Sequence, residues 1–145
     1  YGVTMTVKQA NDFKNKFFKK YTGLKQWHNE TYKLNAYVVR TLSGRRRLWN
    51  LNWDYKLTDR LNTVVQGTAA DINKLALILL HKRLKGTEVK IIGTVHDEII
   101  LEAPAEKAEE VKKILEDTMK EAGQYYIKSV PVEVEGNICD SWAEK

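Results

Sequence analysis

The sequence predicts an α+β fold, with a largely antiparallel sheet and a β-hairpin carrying His96, Asp97 and Glu98, packed against several helices. Three observations predict it. Helical and strand-like runs follow one another as ααββα, ββ, αβ, not as repeated βαβ units. The apolar, β-branched runs EVKIIGTV (88–95) and EIILEA (98–103) are parted only by a two-residue bend, which reads as a hairpin. A chain of 145 residues with 43% hydrophobic content has enough apolar surface for one domain with a core, and it shows no repeat, low-complexity tract or flexible linker.

The elements follow in order. Residues 6–37 carry Phe13, Phe17, Tyr21, Leu24, Trp27 and Leu34 at helical spacing. Thr6 with Gln9 forms a capping-box pattern, and Gly23 marks the expected break between two helices. YVVRTLSGRRR (37–47) is β-branched before Ser43-Gly44 and basic after it, which predicts a strand, a turn and a short second strand. Residues 48–58 read as an aromatic, Asn-rich loop. From Thr58 to about Leu84, apolar positions recur at steps of three and four through Leu61, Val65, Ala69, Ile72, Ala76 and Leu79. Gly67 interrupts that helix at a cost of about 1 kcal/mol against Ala, and also permits close backbone approach. Pro104 begins a further helix with Val111, Ile114, Leu115, Thr118 and Met119 inward. VPVEVEG (130–136) alternates strictly and predicts an edge or half-buried strand.

Composition narrows the function classes. The net charge of +5 makes a polyanionic partner plausible without requiring one. The single cysteine, Cys139, excludes an internal disulfide and points to a reducing, cytoplasmic setting. The longest pure apolar run, LALILL (75–80), is too short to span a bilayer, and no signal peptide or membrane partner is expected. The first residue is Tyr1, so the chain is expected to start inside a larger polypeptide or a processed product.

The chemistry concentrates at three places. A bend between strands lifts Asp97 out of the sheet, where its carboxylate can reach a divalent cation; oxygen donors suit Mg²⁺, which activates an attacking oxygen and stabilises a leaving one. Asp97 can equally serve as a turn residue, His96 as a satisfied core histidine and Glu98 as a solvated strand residue. Neighbouring strand residues point to opposite faces, so Asp97 and Glu98 do not converge on one metal, and a second principal carboxylate must come from elsewhere. Arg45, Arg46 and Arg47 follow a tight turn and match phosphate geometry, or form a solvated basic surface. Asn62 and Gln66 share one helical face and can hydrogen-bond minor-groove acceptors, or lie on the wet side of a packed helix.

Taken together, YG (1–2), TLSGRRR (41–47), LNTVVQGTAADINKLAL (61–77), TVHDEIILEAP (94–104) and VPVEVEGNICDSW (130–142) resemble, in order and over essentially the whole chain, the C-terminal part of family A DNA polymerases of the bacterial DNA polymerase I type. The short 48–58 loop resembles phage and prophage members. The resemblance implies a palm-type sheet, with residues 1–36 ending the fingers helices and residues 37–145 forming palm. It implies that Asp97 binds two catalytic magnesium ions, that Glu98 assists beside them, and that His96 contacts the primer terminus. Asn62 and Gln66 would track the template–primer minor groove, Arg45–Arg47 would lie near the DNA backbone, and Tyr1 would sit beside the nascent base pair. The implied partners are primer–template DNA, deoxynucleoside triphosphates and the upstream palm, fingers and thumb.

Two departures accompany the resemblance. The family's arginine four residues before Asn62 is Thr58 here, with Arg60 two residues on. The proline that follows GRRR in the family is absent. The family's other metal-binding aspartate and its triphosphate-gripping Lys and Arg lie upstream of YG, so this segment alone is expected to be inactive. The alternative reading is a non-catalytic module or accessory chain that grips duplex DNA.

Overall fold

The computed structural model describes residues 4–33, 38–49 and 57–144. The elements are α1 (Val7–Lys20), α2 (Thr22–Lys33), β1 (Val38–Arg40), β2 (Arg46–Leu48), α3 (Leu57–Arg83), β3 (Lys90–Val95), β4 (Glu98–Glu102) and α4 (Ala108–Tyr126). Single 3₁₀ turns occur at Ala105–Lys107 and Trp142–Glu144. Among the described residues the strands form two separate antiparallel hairpins, β1–β2 and β3–β4.

The capping box at Thr6 and Gln9 forms, with the Thr6 hydroxyl accepting from the Gln9 N–H and the Gln9 side chain accepting from the Thr6 N–H. The break between the first two helices lies at Tyr21, whose N–H still bonds Phe17, and not at Gly23, which sits inside the first turn of α2. α1 buries none of its residues; Phe13 is 67% exposed. Its apolar spacing makes it amphipathic, and among the described residues it meets α2, where Phe18 packs edge to face on His28 at 5.1 Å, without burying any side chain fully. Most of the predicted 48–58 loop, residues 50–56, falls outside the described residues, as do Leu34, Tyr1 and Gly2.

α3 is the spine. It is long and apolar enough to cross a membrane, but Ala76, Leu80 and Leu84 are buried with Ile99 of β4 and Ala122 of α4, and Ile72, Leu75 and Leu79 pack around them. From α4, Ile114, Leu115 and Met119 join this core, and Thr118 is fully buried. Thr118 keeps its hydroxyl satisfied by donating to the Ile114 carbonyl and accepting from Arg83, which also pairs with Glu121. A buried hydroxyl costs free energy unless it is paired, so this small network lets a polar side chain sit at the α3–α4 contact.

One predicted element does not form. Residues 130–136 make no strand among the described residues. The alternation is nonetheless real, because Val132 and Val134 are half-buried and Glu133 and Glu135 exposed. The segment lies along α4. A Cβ on Gly123 would come within 2.7 Å of Val132, and the Gly136 N–H donates to Glu116 at 2.9 Å. Burial on one side satisfied the period-two pattern, and side-chain packing took the place of a ladder.

Candidate nucleic-acid and metal site

The hairpin tip is built from three hydrogen bonds. Asn73 of α3 donates from Nδ2 to the Thr94 hydroxyl and to the His96 carbonyl, each at 2.9 Å. Thr94 in turn donates across the hairpin to the Glu98 carbonyl at 2.8 Å. The register pairs Val95 with Glu98, which leaves His96 and Asp97 as the two-residue loop. Such loops favour a positive φ at the first position, because only the mirror-image turns match strand twist. His96 has φ 55°, a conformation costing a non-glycine residue roughly 1–2 kcal/mol. A bulge at Ile92 lies farther down β3, between the Ile91 and Gly93 pairings. His96 and Asp97 are both exposed at the tip, and Glu98 is half-buried.

Helix geometry fixes what this tip faces. At 3.6 residues per turn, Asn62, Gln66, Ala69 and Asn73 fall within about 60° of one another on α3. Asn62, Gln66 and Ala69 are exposed, whereas Ala76 and Leu80, which continue the same side of the helix, are core. One face of α3 therefore runs from solvent into the core. Asn73 stands at the changeover and holds the hairpin tip there. Asn62 lies about 16 Å from Asn73 along the axis. The result is an exposed stripe of amides and small side chains ending at His96 and Asp97.

The arginine hairpin docks elsewhere on α3. Asp71 is a buried carboxylate that accepts from Thr41 Oγ1 (2.7 Å), Ser43 Oγ (2.6 Å) and Arg45 Nε (2.7 Å). Arg45 also donates to the Gly67 carbonyl at 2.9 Å, and Leu42 N–H donates to the Thr68 hydroxyl. Burial pushes the Asp71 carboxyl up, but the bonds from Ser43, Thr41 and Arg45 and the guanidinium charge outweigh it and leave it below the usual carboxylate range. A Cβ on Gly67 would meet Thr41 Cγ2 at 2.7 Å, so the glycine permits this close approach. Arg47 donates to the Thr63 hydroxyl at 3.1 Å and lies over the Trp49 ring at 5.2 Å. Thr63, Gly67 and Asp71 lie about 100–180° around the helix from Asn62. The structure thus ties the His96 carbonyl to Asn73 at the end of the amide stripe, with Asp97 the next residue of the loop, and sets the arginine hairpin on the flank and far side of the same helix. Arg46 is exposed on β2.

The sequence pattern of DNA polymerase family A matches residues 2–144. The chain belongs to the family A DNA polymerases. It is 41% identical over 150 aligned residues to DNA polymerase I of Aquifex aeolicus, covering 99% of this chain and 25% of that protein. It is 36% identical over 149 residues to the thermostable DNA polymerase I of Thermus thermophilus, covering 97% of this chain and 18% of that protein. Among solved structures, the POL domain of Pol1 from M. smegmatis, in complex with DNA primer–template and dNTP, superposes with a TM-score of 0.72 at 24% identity. That match covers 81% of this chain and 23% of that one, and it shows a shared fold. The chain therefore spans a quarter or less of the relatives it matches.

Two further residues of this polymerase segment matter to the site. Asp71 and Asn73 carried no separate role in the sequence reading, yet they join TLSGRRR and TVHDE to the Gln66 helix. The available signal was Asn73 itself, an amide inside the apolar run INKLALILL that must find partners once its neighbours are buried. Arg60 also gains a place. It is buried and donates to the Thr31 carbonyl of α2 at 3.0 Å, so it ties the helix pair to α3. Among the described residues no three His, Cys, Asp or Glu side chains converge to hold a metal. Tyr1 lies outside the described residues.

Proposed function

We propose that this chain supplies the primer-end half of a DNA-directed DNA polymerase site, in which deoxynucleotides are added to a primer 3′ end by phosphoryl transfer. The observation that carries the proposal is the Asn73 clamp. It sets an exposed carboxylate, Asp97, at the end of an exposed amide stripe, in a chain of this family. Asn62 and Gln66 read minor-groove acceptors, which differ little among base pairs, so they hold any correctly paired primer–template. His96 lies where that stripe ends and positions the primer terminus. By family resemblance Tyr1, outside the described residues, is assigned beside the nascent base pair, and Arg45–Arg47 near the DNA backbone, with Arg46 exposed to a phosphate. Residues 1–36 act as fingers and 37–145 as palm.

Magnesium fits the tip in part. Asp97 offers hard oxygen donors in solvent, and Glu98 stands one residue on at the start of β4; neighbouring positions face opposite ways, so the further carboxylate would come from the rest of the polymerase. Two such ions would lower the pKa of the attacking hydroxyl and neutralise the charge developing on the phosphates. The residues of this chain orient the primer end and the duplex toward that point. The segment alone should be inactive.

A chimera tests the proposal. Residues 4–144 replace the matching segment of the Aquifex aeolicus relative, and extension of a primed template with Mg²⁺ and dNTPs is measured for the chimera and for the 145-residue chain. Extension by the chimera alone is the expected result. A chimera that binds primer–template but never extends it favours the second reading, a DNA-gripping module without chemistry, for which the net charge of +5 speaks.

A further inference from the structure

The charge of the chain is not spread evenly. Residues 1–33 hold seven lysines against only Asp12 and Glu30, so this segment carries the entire net charge of +5 and the remaining residues are balanced. Between α1, α2 and the start of α3 lies an open cleft of about 760 Å³. Lys14, Lys19 and Lys25 line it together with Phe18, His28 and Tyr32. Phe18 and His28 meet edge to face at 5.1 Å, and Tyr32 is 73% exposed. Neither acid of the segment lines the cleft, and Glu30 is engaged by Gln26.

We infer that the α1–α2 cleft is a binding site for single-stranded nucleic acid, separate from the hairpin tip. Lysines around aromatic rings supply what an unpaired strand offers, a phosphate charge track and base faces free to stack. A duplex shares only the first of these, since its base faces are covered by their neighbours. Free nucleotide or polyphosphate shares the charge but spans fewer of the lysines. Lys14, Lys19 and Lys25 take phosphates, and Tyr32 stacks on a base.

Binding of a short fluorescein-labelled oligothymidylate to the 145-residue chain, followed by anisotropy over a salt series, tests this. All four side chains are exposed, so their variants retain the fold. Each single-strand phosphate contact contributes about −0.7 to the slope of log K against log salt, so Lys14→Gln/Lys19→Gln/Lys25→Gln flattens the slope by about 2. Tyr32→Ala weakens binding roughly 5- to 150-fold, and blunt duplex is insensitive to it. The inference is overturned if Lys82→Gln/Lys113→Gln/Lys128→Gln, the same charge change elsewhere, has an equal effect. It is also overturned if Tyr32→Ala changes nothing, or if inorganic tripolyphosphate displaces the oligonucleotide as well as unlabelled strand does. Because Asp97 has no part in the cleft, Asp97→Ala leaves this binding unchanged. A chain that ignores the oligonucleotide while its chimera extends primers sinks this inference and leaves the polymerase reading standing.

Discussion

At the scale of single residues, the hairpin tip holds a conformation its sequence does not favour. His96 sits at φ 55°, where glycine would be at ease. His96→Gly is expected to raise the unfolding free energy by about 0.5–1 kcal/mol, and His96→Val to lower it by about 1–2 kcal/mol, read from denaturant midpoints. The two-residue loop demands this conformation, and the bond from Asn73 to the His96 carbonyl holds it there. Asp71 shows the opposite economy, a buried charge with every bond well placed. Asp71→Asn removes the charge and puts a donor beside two hydroxyls and a guanidinium, which costs about 1.5–3 kcal/mol in thermal unfolding. The folded Asp71 carboxyl lies below its unfolded value, so its stabilisation is complete above about pH 3.9 and is lost as pH falls through the lower folded value. Hydrogen exchange at Thr41 and Gly44, whose N–H groups bond within this turn, should remain slow at mildly acidic pH and accelerate only below the ordinary carboxylate range.

At the scale of elements, most of the architecture was legible because period and length agreed. α3, α4 and both hairpins fall within a few residues of where the apolar spacing and turn chemistry put them. What was not legible came from contacts between elements. The 130–136 segment has the alternation of a strand, but alternation reports one-sided burial, and a helix can supply that as well as a sheet can. The Gly23 break failed for a related reason, since a glycine is tolerated within a first helical turn and the chain bent at Tyr21. For the site, the sequence displayed the ends, Asn62 and Gln66 at one and His96 and Asp97 at the other. The joint at Asn73 and the anchor at Asp71 depend on which helix face each hairpin takes. Gly67 belongs to this scale too. Gly67→Ala should gain about 1 kcal/mol of helix propensity, yet its methyl would press on Thr41 at 2.7 Å. The expected net result is a loosened β1–β2 hairpin, seen as faster exchange at Thr41 and Gly44 with little change in helical circular dichroism.

At the scale of the whole molecule, two functions of charge separate. The basic α1–α2 segment carries the net charge and the balanced remainder carries the hairpin tip, so on the proposed reading non-specific attraction and site chemistry rest on different elements. α3 joins them, through Arg60 to Thr31 at one end and through Asn73 to His96 farther along. Asn73→Ala should therefore leave DNA affinity of the chimera within a few-fold while lowering its extension rate, since it frees the tip and leaves the amide stripe intact. The most direct measurement concerns Asp97. In the chimera, Asp97→Ala should lower the single-turnover rate of nucleotide addition by at least about 100-fold, with the Kd for primer–template little changed. A variant that adds nucleotides at the parental rate would contradict the account, because the carboxylate at the hairpin tip would then have no part in the chemistry.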